Sequence, residues 1–145
     1  MTTPQAQEVP VTVRVFSQRF SSTPRGARLS RHLALYELDR WGIGYGTFAS
    51  DAAAHIVAEL AANAATHGRI PGRDFELTLT YASEPFTILR IEVADTRSER
   101  RPEVAPFEPS AEFGRGLLIV DALASRWEVL DRHPLGKTVR AELDL

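Results

Sequence analysis

Between Asp51 and His67 the chain reads Asp-Ala-Ala-Ala-His-Ile-Val-Ala-Glu-Leu-Ala-Ala-Asn-Ala-Ala-Thr-His, and no other stretch constrains its fold as strongly. Alanine is the strongest helix former. Ala53, Ile56, Val57, Leu60 and Ala64 recur at helical spacing. Between His55 and Thr66 the only polar side chains are Glu59 and Asn63. Four residues apart on a helix, they project from one face. A helix this apolar is mostly buried, and a buried carboxylate or carboxamide costs free energy unless it is partnered. The pair therefore calls for a partner, and a magnesium–phosphate ligand would use both groups.

The flanking segments fill in the architecture. Val11 to Phe16 alternate as a first strand, with Val11, Val13 and Val15 on one side. Thr23 and Pro24 have the signature of a helix start, and the apolar spacing that follows runs to Trp41. Ser50 is expected to cap the Glu59 helix, and Gly68 to close it. Two alternating strands, Phe75–Tyr81 and Leu89–Val93, form a hairpin. Residues 96–115, with Pro102, Pro106 and Pro109, are expected to be a lid loop. A third helix is expected from Gly116 to Ala124, then a hairpin of Trp127–Leu130 and Thr138–Leu143. The expected organisation is a disordered tail at 1–9 and one domain at 10–145. Its fold class is α+β, a two-layer sandwich of a mixed, mostly antiparallel sheet with three helices on one face.

Composition narrows the function classes. A net charge of -2 opposes a general nucleic-acid or membrane-surface role. Zero cysteines exclude disulfides, thiolate metal sites and a cysteine nucleophile. No apolar run approaches the roughly 20 residues of a spanning helix, and the polar start lacks a signal peptide's pattern. The expected location is the cytoplasm. Gly136-Lys137-Thr138 is not a Walker A motif, because Asp131 stands where the first glycine belongs and a strand follows. His55, Glu59, Asn63 and His67 share one helical stripe but lack metalloprotease spacing.

Four features instead fall in order: Glu59 with Asn63, Asp95 at the end of a strand, Gly114-Arg115-Gly116 before a helix, and Gly136-Lys137-Thr138 before the last strand. A carboxylate at a strand end can accept a hydrogen bond from adenine's exocyclic amine. Glycines at a helix start let backbone N–H groups approach phosphates. An amide oxygen completes a Mg²⁺ coordination sphere, and a glutamate one turn away accepts a proton.

In this order the features resemble the four boxes of the GHKL ATPase superfamily, with its Bergerat (histidine-kinase-type) nucleotide-binding fold. The closest likeness is to the anti-sigma-factor serine/threonine kinases of actinobacterial type. The resemblance implies ATP and Mg²⁺ as cofactors, Glu59 as general base and Asn63 as metal ligand. It also implies nucleotide contacts from Asn63, His67, Asp95, Gly114, Arg115, Gly116, Leu117 and Thr138. The implied partners are an anti-sigma-factor antagonist, phosphorylated on serine, and a sigma factor; a homodimer is also implied. Where the superfamily usually has Asp-x-Gly-x-Gly, this chain reads Asp95-Thr96-Arg97-Ser98-Glu99. The alternative function is a non-catalytic, nucleotide-dependent binding module.

Overall fold

The computed structural model describes residues 13–67, 74–95, 111–131 and 136–145, apart from the side chains of residues 67 and 111–116. The expected tail and residues 96–110 of the expected lid lie outside the described residues. In chain order the elements are β1 (Val13–Ser21), α1 (Pro24–Arg40), α2 (Phe48–His67), β2 (Asp74–Ala82), β3 (Ile88–Asp95), α3 (Ala111–Leu123), β4 (Arg126–Asp131) and β5 (Lys137–Asp144).

The strands form one sheet in the order β1-β2-β3-β5-β4. All four pairings are antiparallel, so the expected mixed sheet is corrected. The reason is topological. After β3, α3 returns the chain to the opposite end, β4 runs in the direction of β3, and the final hairpin sends β5 back between them. The three helices cover one face, with α2 in the middle in contact with α1, α3 and three strands.

Strand alternation sorts the side chains into two layers. Phe75, Leu77, Leu79, Leu89, Ile91, Val93, Val139, Ala141 and Leu143 are buried beneath the helices. In β1 the core row is the opposite of the one expected. Val13 and Val15 are 50% and 61% exposed, while Phe16 packs against the core and Phe20 is buried. Pairing with β2 over the whole strand sets this parity, and Phe20 stacks on Phe75 with ring centroids 5.7 Å apart.

The other face carries cross-strand ion pairs. Arg90 reaches Glu142 at 2.9 Å, Arg126 reaches Glu142 at 3.1 Å and Asp144 at 2.7 Å, and Arg140 reaches Glu92 at 3.1 Å. Each is worth at most ~1 kcal/mol in solvent, but together they fix register and cover the face with charge. Burial alone would raise the Glu142 carboxyl; hydrogen bonds from Arg90 and Arg126 outweigh it and hold the group below the usual carboxylate range.

Helix boundaries follow local chemistry. Thr23 accepts the Gly26 N–H at 3.0 Å as N-cap of α1, with Pro24 at the first helical position, as expected. At α2 the cap is Thr47 rather than Ser50. The Thr47 hydroxyl accepts the Ser50 N–H at 3.2 Å, which leaves Ser50 inside the first turn and fully buried. α3 begins at Ala111, five residues before the expected Gly116, so residues 111–115 are helical.

Gly26 marks a close approach: a Cβ there would collide with the Ser21 carbonyl oxygen at the junction of β1 and α1. Gly26→Ala is expected to destabilise the fold by about 1–3 kcal/mol in urea unfolding. A second expectation concerns acid. A depressed folded-state pKa stabilises above the unfolded value, and that stabilisation is lost as pH falls through the folded one. The stability gap between wild type and Glu142→Gln should therefore close as unfolding is measured at progressively lower pH.

Candidate nucleotide-binding site

The register gathers one end of the sandwich. Ser21 pairs with Asp74, and next to it Phe75 pairs with Asp95, which pairs in turn with Lys137. α1 starts at this end and α2 finishes there, because residues 22–31 and 58–66 line a common groove. α3 begins at the same end, since it follows the chain out of β3 and finishes beside Arg126 at the other.

Within this end, α2 presents two different flanks. Ala58, Ala62 and Ala65 line the groove shared with α1. At about 100° per residue, Asn63 points nearly opposite to Ala65, on the flank toward α3. Glu59, one turn earlier, shares that flank. Both are half-buried. The Nδ2 of Asn63 is buried and has no hydrogen-bond partner among the described residues. Assignment of amide oxygen and nitrogen rests on the network around them. With Nδ2 inward, the group lacks an acceptor such as a phosphate oxygen; with the amide turned over, the buried oxygen would suit a magnesium ion or its water. Either way the residue fits a magnesium–phosphate ligand.

Asp95 is the other polar group of note. It ends β3 on the helix-covered side and is only 6% exposed, the one buried carboxylate among the described residues. A carboxylate held there can accept a donor from a ligand lodged between the sheet end and the helices.

The remaining expected residues divide. Gly114 and Gly116 lie inside the first two turns of α3, not ahead of it; within the helix, the N–H groups free of intrahelical partners belong to residues 111–113. These amides and the positive end of the helix dipole still offer anion binding at this end. The side chains of His67 and Arg115 lie outside what is described. Leu117 packs against the core. Thr138 pairs with Ala94, and strand alternation aligns it with Arg140 and Glu142 on the face away from the helices. The residue opposite Asp95 is Lys137. Sequence reasoning missed this, although the core row Val139, Ala141, Leu143 extends by parity to Lys137. Among the described residues, no cluster of three His, Cys, Asp or Glu could hold a metal ion.

A buried Nδ2 with no partner among the described residues costs the folded protein its desolvation, so Asn63→Leu is expected to leave ligand-free stability unchanged or raise it by up to ~1 kcal/mol. The same variant should lose the rise in melting temperature that Mg²⁺·ATP gives the wild type; both are read by scanning fluorimetry.

None of the curated proteins compared with the chain matches it. Among models of protein families, that of the histidine kinase-like ATPase domain matches residues 20–143, which span every described element except residues 13–19 of β1 and residue 144 of β5. The chain belongs to this family, within the GHKL ATPase superfamily.

Proposed function

We propose that this protein is an ATP-dependent serine kinase of the anti-sigma-factor type, acting on a serine of a small antagonist protein and thereby setting the availability of a sigma factor. The observation that carries the nucleotide part is the buried, unpartnered amide of Asn63 on the α3 side of α2, at the end of the sandwich where Asp95 is buried. The family match supports the same reading. The kinase and sigma-factor parts rest on the likeness of Glu59-Leu60-Ala61-Ala62-Asn63 and the later boxes to those kinases.

In this reading Asp95 accepts a hydrogen bond from the adenine amine, and the free amides of residues 111–113 meet the phosphates. Asn63 would hold a magnesium ion, which when bound neutralises phosphate charge. The partner's serine oxygen bonds to the γ-phosphorus as the bond to the β–γ bridging oxygen breaks. ADP leaves, and Glu59 takes the hydroxyl proton. The place of action is the cytoplasm and the protein acts as a homodimer; no helix among the described residues is long and apolar enough to cross a membrane.

A second reading, a nucleotide-dependent binding module without transfer, is favoured by one feature: Thr96-Arg97-Ser98-Glu99 follows Asp95 without the usual glycines. Labelled Mg²⁺·ATP and cell extract decide between the two. For the kinase, a small phosphoprotein is labelled, and Glu59→Ala lowers the rate by about 10²–10⁴-fold while ATP affinity stays near wild type. For the module, ATP binds and no protein is labelled. Asp95→Asn is expected to weaken ATP binding in calorimetry under either, because a buried acceptor becomes a mismatched donor. Wild type that binds no ATP at millimolar concentration would sink both.

A further inference from the structure

The flank of α2 opposite Asn63 carries a feature that nucleotide binding does not use. A cleft of about 420 Å³ lies between the first half of α1 and the last half of α2. Its volume falls within the ~300–1,000 Å³ range of ligand clefts. Ala27, Ala58, Ala62 and Ala65 form an apolar floor, and Arg28 and Arg31 stand at its edge. Both arginines are exposed.

The charges around this cleft are unlike those on the open sheet face. Pro10 to Tyr36 contain five arginines and no Asp or Glu, in a chain whose net charge is -2. On the open sheet face Arg90, Arg126 and Arg140 are all neutralised by carboxylates. Arg28 and Arg31 make no ion pair among the described residues. Three residues apart on a helix, they point the same way. A ligand complementary to this surface has small or aliphatic groups to bury on the alanines and negative charge to set against two guanidiniums, which favour bidentate pairing with carboxylates.

We propose that the α1–α2 cleft docks an acidic, amphipathic segment of a partner protein, with its apolar side chains on the alanine floor and its carboxylates on Arg28 and Arg31. A second copy of this chain placed groove to groove would set arginine against arginine, which opposes that occupant. A nucleic-acid strand would find an apolar alanine floor and no aromatic side chain among the lining residues on which to stack its bases. The docking surface is separated from Glu59 and Asn63 by the body of α2, so the inference stands whether or not phosphoryl transfer occurs.

The test is selection of random displayed peptides on the intact wild-type protein, with the Arg28→Glu/Arg31→Glu double variant as counter-target. Selected peptides are then synthesised and titrated by fluorescence anisotropy. The expected result is a pool enriched in Asp and Glu interleaved with aliphatic residues. Its binding should weaken at least about ten-fold in the double variant, weaken with added salt, and be blocked by Ala62→Trp, which fills the cleft. Affinity for a fluorescent ATP analogue should stay at the wild-type value in these variants, so loss of docking is separable from loss of the nucleotide site. Selection that yields no binder, a pool without acidic enrichment, or binding indifferent to both variants overturns the proposal. So does finding that the same substitutions abolish duplex-DNA binding, or abolish self-association in sedimentation.

Discussion

Burial of α2 is the constraint on which the rest of the structure depends. A helix apolar around most of its circumference cannot sit at an edge; it needs neighbours on several sides. Here it has the sheet beneath and α1 and α3 on its flanks. Ile56, Val57 and Leu60 are at most 1% exposed. Each such side chain contributes roughly 1.5–3 kcal/mol by leaving water. That anchorage holds the polar residues of the helix in a fixed orientation. Glu59 and Asn63 therefore meet whatever lies between α2 and α3 with little freedom to relax, and the unpartnered Asn63 amide persists because the surrounding packing stabilises the helix far more than one unsatisfied group destabilises it.

The sheet supports this arrangement from below. In β2, β3 and β5 its helix-facing rows are apolar along nearly their whole length and become polar at the end, at Asp95 opposite Lys137. Its other face carries the arginine–carboxylate ladder, which covers the sheet with charge and disfavours any slip of register. The polar end of the buried rows, the end of α2 and the start of α3 coincide because the antiparallel topology returns the chain to the same end each time. The candidate site is a product of that coincidence.

Much of this was legible in the chain itself. The strands β2 and β3, the core stripe of α2, the Thr23 cap and the order of the polar boxes are local patterns, and local patterns survive folding when the core agrees with them. The misread features are those decided by neighbours. Val13 and Val15 look like a core row, but β1 is oriented by Phe16 and Phe20 against β2. Ser50 looks like a cap, but Thr47 reaches the same backbone first. Lys137 stands out in no local pattern, but the register sets it opposite Asp95.

Taken alone, the sequence determined that a largely apolar helix would carry a carboxylate and a carboxamide on one face, and that a strand would end in Asp95, because helical and strand periodicities are properties of the chain. Only the tertiary structure decided that these groups meet at one end of the sandwich. It alone set the face of each strand, left the Asn63 amide without a partner and opened a cleft on the far flank of α2. Those outcomes depend on which surfaces pack together, and packing is settled by competition among distant residues that no local pattern records.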